Sequence, residues 1–397
     1  MKKKSLKDID VKGKRVFIRV DFNVPLHATG EIRDDTRIKA SIPTLRYLLD
    51  NGARVVCASH LGRPGGEKIP VLTLKPVAEH LSQLLDVKVN FSGEITGKKV
   101  ETLKAGLKDG EILLLQNLRF HPGETANDTA FAKELAKNID IYVNDAFGVS
   151  HRAHASTHAV TKFIPLSVAG FLLEKEIDFL TGISKKPPKH YVIILGGDRV
   201  PDKIPFIPKL MEKAQKILIG GAMAYHFMAA EGIHVGRSDL NEDAVAICKD
   251  ILKKANKKKA KLILPVDHIA AMAIEPEVTI RMIKKGSEIP EEMMGLDIGF
   301  ETIQLFTREL KDAELIVWNG PLGVFEIDTF SAGTTEIARE VAALPAITFV
   351  GGGDSIAAIE KAGVSEQITH LSTGGAASLM FLAGETLPGI DVLTEGK

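Results

Sequence analysis

The chain has 397 residues, 45% of them hydrophobic, and its 51 basic and 51 acidic side chains leave no net charge. This length exceeds what one hydrophobic core usually organises, so we expect two domains. The balanced charge disfavours a nucleic-acid or membrane-surface role, because any basic cluster must then act locally on a small partner. No apolar run reaches the roughly 18 to 20 residues that span a bilayer, so we expect a cytoplasmic protein without a membrane partner.

Apolar runs alternate with helical patterns through the first half of the chain. Strands are predicted near 14–20, 53–58, 111–116 and 140–144, and helices near 38–50, 74–85 and 128–137. A long helical pattern over 166–183 ends at the proline-rich SKKPPKH, after which strands resume with YVIIL, KILIG, KLILP, ELIVW and AITFV. The lysine-rich stretch over 253–261 is most simply a solvated helix end.

This alternation predicts an α/β fold of two doubly wound parallel-sheet, Rossmann-like domains. We expect an N-terminal domain over 1–165, a connector helix over 166–185 and a C-terminal domain over 186–382. The tail over 383–397 is expected to pack back on the N-terminal domain.

Four short segments place arginine or histidine at or just after a predicted strand: RVDFNVP (19–25), SHLGRP (59–64), LRFHPGE (118–124) and SHRAH (150–154). The carboxyl ends of strands are where open α/β sheets form ligand crevices, and guanidinium groups bind phosphate bidentately. Four cationic strand ends on one rim would form a receptor for a small polyanion. We therefore expect a phosphorylated, carboxylated metabolite as the ligand.

The second half instead has glycine-rich turns where its strands end: LGGD (195–198), IGGA (219–222), WNGPLG (318–323), VGGGDS (350–355) and STGGAAS (372–378). Glycine lets backbone N–H groups approach an anion, and a helix that begins next adds the positive end of its dipole. One such turn is ordinary, but five in one domain favour a site for nucleotide phosphates. Neither a GxxxxGK[ST] P-loop nor a complete GxGxxG fingerprint is present.

Two rival kinds of site are disfavoured. His151, His154 and His158 have helical spacing, but Arg152 between them would repel a metal cation. Ser150 lies in GVSHR, which lacks the second glycine of the GxSxG elbow of serine hydrolases. The anion-binding interpretation of this segment is therefore the stronger one.

The motifs resemble the phosphoglycerate kinase family nearly end to end and in the family's order, from RVDFNVP, SHLGRP, LRFHPGE and SHRAH to WNGPLGVFE, GGGDS, STGG and LPGID. The resemblance implies two α/β domains with a hinge cleft, triose phosphate bound by the first and nucleotide by the second. It implies reversible phosphoryl transfer between 1,3-bisphosphoglycerate and ADP, giving 3-phosphoglycerate and ATP in glycolysis. It further implies Mg²⁺ carried with the nucleotide and a monomeric enzyme.

On the triose-phosphate side the resemblance assigns Asp21 and Asn23 to the hydroxyl and carboxylate region, and Arg37 to the reacting carboxyl group. The distal phosphate would be held by basic residues and the loop between two of them: His60, Leu61, Gly62, Arg63, Arg119 and Arg152. Taken singly, the arginines could instead form surface ion pairs with acids such as Asp34 or Glu124. Asp21 and Asn23 could also be turn-forming residues.

On the nucleotide side the resemblance assigns Lys203 to the phosphates, Gly295 and Leu296 to the adenine, and Glu326 to the ribose. The phosphate end and its wall would be formed by Gly197, Gly221, Asn319, Pro321, Gly352, Gly353, Asp354 and Ser355, with Asp354 as the metal ligand. From the residues alone, Asp354 could instead be the N-cap of the helix over SIAAIEKAG. Lys203 could be solvated and Glu326 an exposed acid.

The reaction that the resemblance implies needs no protein nucleophile or general base, because the attacking carboxylate of 3-phosphoglycerate is already ionised at neutral pH. Catalysis would consist of in-line positioning and stabilisation of charge on the transferring phosphoryl group. The expected contributors are Mg²⁺, Arg37, Lys203, Arg199 and the helix N-terminus at Gly375 and Ala376. Domain closure about the connector helix would join the reacting groups and exclude water.

The chain departs from the family pattern in the nucleotide half. It reads GGDRVPDK where the family reads GGAKVxDK, so Arg199 replaces a lysine, with Asp198 and Pro201 beside it. Ala376 replaces a glycine of STGGGAS, and the remaining departures are Met272, Ala273, Met293, Phe300 and Met380. We expect an active kinase with an altered nucleotide site. The alternative is a weakly active paralogue that binds ligand as a sensor or interaction protein.

Overall fold

The computed structural model describes residues 3–27, 29–255 and 260–396. Contacts within the chain divide it into two compact units. Unit 1 comprises Met1–Phe179 with Thr386–Lys397, and unit 2 comprises Leu180–Glu385. None of the helices in the described ranges has the length and apolar character that crossing a bilayer requires.

The described part of unit 1 contains a six-stranded parallel sheet. Its strands are β1 (Arg15–Val20), β2 (Arg54–Ala58), β3 (Val89–Phe91), β4 (Ile112–Leu114), β5 (Ile141–Asp145) and β6 (Leu166–Ala169), in the order β3-β4-β2-β1-β5-β6. The helices are α1 (Thr36–Asp50), α2 (Lys75–Leu85), α3 (Lys98–Gly106), α4 (Pro122–Thr125) and α5 (Thr129–Ala136), and α6 (Phe171–Lys185) begins in unit 1 and ends in unit 2. Each of the four strands predicted here is present.

The central strand of this sheet explains the continuous apolar runs of the sequence. In β1, Val16 lies opposite Val55 of β2 on one side and Ile141 of β5 on the other. Strands covered by helices on both faces bury every position, so they read as unbroken apolar runs rather than as alternation. The exception is Arg19, which is fully buried in β1.

The helix predicted from residue 166 was wrong in its first residues, because Leu166–Ala169 forms β6 and the helix begins only at Phe171. Gly170 separates them, and a Cβ there would lie 2.2 Å from Asp145 Oδ1. That carboxylate accepts a hydrogen bond from the N–H of Leu172 at 2.9 Å, at the start of the helix. A four-residue apolar run cannot be distinguished from a buried helix by periodicity alone.

The described part of unit 2 contains a second six-stranded parallel sheet and a smaller antiparallel one. The strands are β7 (Tyr191–Leu195), β8 (Lys216–Ile219), β9 (Lys261–Ile263), β10 (Asp267–Ala271), β11 (Ile280–Lys284), β12 (Met294–Ile298), β13 (Leu315–Asn319), β14 (Ile347–Gly351) and β15 (His370–Ser372). The helices are α7 (Val200–Lys203), α8 (Ile207–Leu210), α9 (Gly221–Ala230), α10 (Glu242–Ala255), α11 (Phe300–Leu310), α12 (Ala332–Ala343), α13 (Gly353–Lys361) and α14 (Gly375–Leu382). The parallel order is β15-β14-β13-β7-β8-β9, which includes all five predicted strands.

The antiparallel sheet, in the order β11-β10-β12, was not predicted from the sequence. Four of the five residues of its edge strand β11 are exposed. The sequence of β11 therefore lacks the alternation of apolar and polar residues that marks a half-buried strand. The strand β12 carries Gly295 and Leu296, two of the residues assigned to the nucleotide. The lysine-rich stretch over 253–261 begins in the last turn of α10 and ends in β9, and its middle lies outside the described residues.

The C-terminal segment packs within unit 1 and contains α15 (Pro388–Asp391). The N–H of Gly389 donates to the carbonyl of Ser150 at 2.9 Å, and its carbonyl accepts from Asn144 Nδ2 at 2.8 Å. Both partners belong to the region where β5 ends. The prediction of two parallel-sheet α/β domains is thus confirmed for the fold of each unit.

Candidate active site

In unit 1, the segments that follow β1, β2 and β4 meet at Gly62. Asn23 Oδ1 accepts a hydrogen bond from the Gly62 N–H at 2.8 Å, and Arg119 Nη1 donates to the Gly62 carbonyl at 2.8 Å. Gly62 has a φ of 65°, and a Cβ there would lie 2.8 Å from the Leu72 side chain. Glycine is therefore required where three predicted site residues come together.

Asn117 anchors the same loop through side-chain hydrogen bonds to its backbone and was missed by the sequence analysis. Its Oδ1 accepts from the N–H groups of Leu61 and Arg119, both at 3.1 Å, and its Nδ2 donates to the Leu61 carbonyl at 2.7 Å. It is fully buried. A polar residue between the apolar run of β4 and an arginine was the available signal.

Asp21 and Arg37 form an ion pair between the end of β1 and the first turn of α1. Burial favours protonation of Asp21, but the positive charges of Arg37 and Arg19 oppose it, and the pKa of Asp21 is lowered to about 2. The other carboxylate oxygen accepts from the Asn23 N–H at 3.1 Å. Asp21 is therefore an ionised acid that also shapes its turn, and Arg37 faces Asp21 rather than Asp34 or Glu124.

Arg19 was expected to be one of the cationic strand ends on the rim, which was wrong, because it lies inside β1 and is fully buried together with Glu124. Arg19 Nε donates to Ser156 Oγ at 2.9 Å, and Ser156 Oγ donates to Glu124 Oε1 at 2.6 Å. Glu124 is therefore not an acid available for surface ion pairs. An arginine inside the apolar run RVFIRV was the signal that could have found this buried pair.

The remaining basic residues of unit 1 differ in exposure. Arg119 is 9% exposed, and burial, together with Arg19 and Arg152, lowers its pKa to about 10. Its Nε has no hydrogen-bond partner among the described residues. Arg152 is half-buried and its Nε donates to His151 Nε2 at 3.0 Å, whereas Arg63 is exposed. Mutual repulsion among buried guanidinium groups would be relieved by an anion between them.

In unit 2, a cavity of about 300 Å³ lies among the turns that follow the strands of the parallel sheet. Among the described residues that line it, the following were assigned to the nucleotide from the sequence: Gly197, Gly221, Gly295, Leu296, Pro321, Glu326 and Asp354. Asp198, Tyr225 and Val324 line it as well. The cavity therefore joins residues from distant parts of the chain, as is usual for a concave ligand site.

Tyr225 forms one wall of this cavity and was missed by the sequence analysis. It lies in α9, and a Cβ on Gly295 would be 2.2 Å from its ring. Only glycine at position 295 lets the ring pack against the backbone of β12. The Gly295 N–H donates to Ser238 Oγ at 3.0 Å, and the Leu296 carbonyl accepts from Val324 N–H at 2.8 Å. Tyr225 stands in the apolar run AMAYHF, which gives no signal of a site.

Lys203 is buried, so its interpretation as a solvated lysine was wrong. Its Nζ donates to the Gly196 carbonyl at 2.7 Å. Burial lowers the pKa of Lys203 to about 8, although Asp354 and Asp198 oppose that shift. An ammonium held near two carboxylates is poised to exchange one partner for a phosphate oxygen.

Hydrogen bonds join three of the glycine-rich turns. Asn319 Nδ2 donates to the Gly375 carbonyl at 3.0 Å, and the Gly352 N–H donates to the Ser372 carbonyl at 2.9 Å. Gly352 has a φ of 103°, which side chains rarely adopt. The N-termini of α13 and α14 therefore begin side by side, and their N–H groups and dipoles together suit an anion.

Asp354 is the second residue of α13, and the N-cap is Gly352, so the N-cap interpretation of Asp354 was wrong. Asp354 is exposed and lines the cavity, as does the exposed Glu326. Gly353, at the start of α13, is also exposed. Ser355 is instead buried and structural, since its Oγ accepts from Gly320 N–H at 2.7 Å. The cavity-lining carboxylates Asp198 and Asp354 match the donor set of Mg²⁺, which is usually held by one or two carboxylates and phosphate oxygens.

The departures from the family pattern all lie in unit 2, and one of them, Asp198, lines this cavity. Arg199 is the exposed N-cap of α7, and Ala376 is half-buried as the second residue of α14. Phe300 and Met272 are 64% and 53% exposed. Met293 packs in the cluster that contains Tyr225. The remaining positions are Asp198 on the cavity wall, the exposed Pro201, and the half-buried Ala273 and Met380.

Comparison with known proteins identifies relatives along the whole chain. A family model described as phosphoglycerate kinase matches residues 6–385. The phosphoglycerate kinase of Koribacter versatilis (strain Ellin345) is 49% identical over 401 residues, covering 99% of this chain and 100% of the relative. That of Thermosipho africanus (strain TCF52B) is 50% identical over 400 residues, covering 100% and 99%.

Solved structures give the same result. The phosphoglycerate kinase from Pyrococcus horikoshii OT3 matches with a TM-score of 0.86 at 35% identity, over 98% of each chain. The structure of phosphoglycerate kinase from Coxiella burnetii matches with a TM-score of 0.79 at 36% identity, again over 98% of each chain. The chain belongs to the phosphoglycerate kinase family.

Proposed function

We propose that the protein catalyses reversible, Mg²⁺-dependent phosphoryl transfer between 1,3-bisphosphoglycerate and ADP, giving 3-phosphoglycerate and ATP. As a member of its family it is a phosphotransferase with a carboxyl group as acceptor. The observation that supports the assignment most is the pair of anion sites, one at the carboxyl end of each parallel sheet. One is built from guanidinium groups and the other from glycine-rich helix N-termini.

Unit 1 is the proposed site of the triose phosphate. Asp21 and Asn23 bind the hydroxyl and carboxylate region, and Arg37 faces the reacting carboxyl group. The distal phosphate binds to His60, Arg63, Arg119 and Arg152 and to the loop at Leu61 and Gly62. The closeness of Arg119 to Arg19 and Arg152 supports this role, because a phosphate would offset the repulsion among these cations.

Unit 2 is the proposed site of the nucleotide. Gly295 and Leu296 bind the adenine and Glu326 the ribose. The phosphates bind at the cavity-lining residues Gly197, Gly221, Pro321 and Asp354 and at the neighbouring Lys203, Asn319, Gly352 and Gly353, while Ser355 supports the turn at Gly320 through its hydroxyl group. Asp354 holds Mg²⁺, which when bound neutralises phosphate charge.

The chemical step is proposed to be direct and in line. A carboxylate oxygen of 3-phosphoglycerate attacks the terminal phosphorus of ATP, and the bond from that phosphorus to the bridging oxygen breaks, releasing ADP. Arg37, Lys203 and Arg199 stabilise the charge on the transferring group, together with the N–H groups at Gly375 and Ala376. No side chain accepts a proton. Closure of the two units over the ligands is part of this proposal, since it would keep water from the acyl phosphate.

A coupled assay tests the function. Protein, 3-phosphoglycerate and MgATP are combined with an NADH-dependent dehydrogenase that consumes the acyl phosphate. We expect turnover well above the rate without protein. Arg152→Met should raise KM for 3-phosphoglycerate but not for ATP, whereas the exposed Lys39→Met, in the same unit, should leave both unchanged.

Binding of ligand by calorimetry with turnover equal to the blank would refute the kinase and favour a binding paralogue. The comparisons give that alternative no support. The proposal also includes a cytoplasmic location, a monomeric state and no nucleic-acid partner. These parts rest on the balanced charge of the chain and on the chemistry of the two sites.

A further inference from the structure

Four side chains beneath the triose-phosphate site form a water-excluded group. Arg19, Glu124 and Ser156 are fully buried, and His60 is 2% exposed. They come from four separate segments of unit 1. In such surroundings a hydrogen bond is strong and a wrongly placed proton is costly, so the direction of each bond is determined by its partners.

The direction of these bonds follows from Glu124. Its carboxylate can only accept, so Ser156 Oγ donates its proton to Glu124 Oε1 at 2.6 Å. Ser156 Oγ is then free to accept, and Arg19 Nε donates to it at 2.9 Å. The Ser156 N–H also donates to Glu124 Oε2 at 3.0 Å. Arg19 is thereby held in one orientation.

Arg19 Nη2 lies 3.2 Å from His60 Nδ1. A guanidinium has no acceptor, so His60 Nδ1 must be the unprotonated nitrogen that receives this bond. Among the described residues, the acid that competes for the same nitrogen is Asp21, whose Oδ1 is 3.7 Å away, beyond hydrogen-bond distance. The proton of a neutral His60 is then on Nε2, which has no hydrogen-bond partner among the described residues.

We propose that Glu124, Ser156 and Arg19 form a buried chain that holds His60 as the neutral tautomer protonated on Nε2, so that His60 recognises its anionic ligand as an uncharged donor. Arg19 is a positioning residue in this scheme, because it acts on the ligand through His60. The proposal depends on the assignment of the triose phosphate to unit 1.

The charges around His60 support a neutral ring. Burial lowers the pKa of His60 well below its usual range, Asp21 opposes this, and Arg19, Arg119 and Arg37 add to it. The Glu124 carboxylate balances the buried Arg19, with Oε1 4.0 Å from Nη2. A second imidazolium charge among these guanidinium groups would repel all of them.

Nitrogen NMR of the ligand-free protein tests the tautomer directly. Histidine side chains are labelled with ¹⁵N, and the His60 signals are assigned by their loss in His60→Gln. We expect a protonated Nε2 and an unprotonated Nδ1, unchanged from about pH 5.5 to about pH 8. A proton on Nδ1, or a charged ring at neutral pH, would overturn the proposal.

Arg19→Met removes the guanidinium group that donates to His60 Nδ1 and leaves the Asp21 carboxylate as the polar neighbour of that nitrogen. We expect the proton to move to Nδ1 and the affinity for 3-phosphoglycerate, measured by calorimetry, to fall by at least about tenfold. The matched control is Lys104→Met, which removes another buried cation of unit 1, one that donates to the Leu135 carbonyl. It should lose stability but keep the His60 spectrum and the affinity.

Ser156→Ala offers a second variant if Arg19→Met does not fold, because it frees Arg19 Nε while leaving His60 intact. We expect a measurable fraction of the Nδ1-protonated ring. If Arg19→Met or Ser156→Ala folds and its His60 spectrum is identical to that of wild type, the proposed hydrogen-bonded chain is refuted. A wild-type protein with the expected tautomer but no affinity for 3-phosphoglycerate would instead refute the proposed function.

Discussion

Lys203 donates a hydrogen bond from Nζ to the backbone carbonyl of Gly196, across 2.7 Å. Gly320 lies against the same ammonium, and a Cβ there would be 2.5 Å from Nζ. The chain thus holds this charge in place with a backbone acceptor and excludes side chains from its vicinity. Its burial makes the charge dependent on pH.

The pKa of Lys203 predicts a basic limb in the activity of the free enzyme. Burial lowers the pKa of Lys203 to about 8, so the ammonium that would bind nucleotide phosphate is lost as pH rises through that value. We expect kcat/KM for ADP to be constant below about pH 7 and to fall about tenfold per unit above about pH 9. Pre-steady-state and steady-state rates across pH measure this.

The control is Lys203→Arg, because a guanidinium stays charged over the whole range. Its kcat/KM should be lower than wild type but should lack the basic limb. A limb of equal size in both proteins would assign the titration to another group.

Gly295→Ala tests the wall of the nucleotide cavity. The new methyl group would lie 2.2 Å from the Tyr225 ring, so the ring or β12 must move into the cavity. We expect ADP affinity to fall by about tenfold or more, with the affinity for 3-phosphoglycerate unchanged. Gly182→Ala in α6 is the control, since nothing lies within 4 Å of its Cβ. Equal ADP affinity in both variants would contradict the assignment of this wall.

Asp145→Asn tests the cap at the start of α6. Burial raises the pKa of Asp145 to about 6 from 3.8, so the folded protein binds this proton more tightly than the unfolded chain. The stability that this difference in pKa contributes is fully present below pH 3.8 and is lost as pH rises through about 6. Relative to the variant, wild type should lose about 3 kcal/mol of unfolding free energy between those pH limits.

Urea unfolding at several pH values measures that difference. Asp128→Asn is the comparison, because Asp128 caps α5 by accepting from Phe131 N–H at 2.7 Å but is exposed. The same pH slope in wild type and Asp145→Asn would show that Asp145 does not titrate in this range.

The double variant Arg199→Lys with Ala376→Gly is expected to raise kcat. Arg199 is exposed at the start of α7, where a lysine would differ in reach and shape. Removing the Ala376 methyl group opens the first turn of α14 to a closer approach of the phosphoryl group. Coupled assays at saturating substrates measure the change. Unchanged or lower kcat would show that these two positions do not limit turnover.

The strands and helices with the clearest hydrophobic periodicity could be predicted from the sequence. The errors in the predicted secondary structure have local causes. The apolar run at Leu166–Ala169 was read as helix because it precedes a true helical pattern and is too short to show its period. The strand β11 escaped prediction because most of its residues are exposed. Motifs identified His60 and Arg119, since residue type and order along the chain suffice for that.

What the sequence by itself determined is the two-unit α/β fold, the family, and the residue types at the strand ends, because these are local patterns of burial and motif. Only the tertiary structure decided which of those groups touch. Arg19 meets Ser156 although 137 positions separate them, and Tyr225 meets Gly295 across another sheet. Such contacts depend on the order of strands in the sheet. In our proposal they in turn determine which nitrogen of His60 carries the proton.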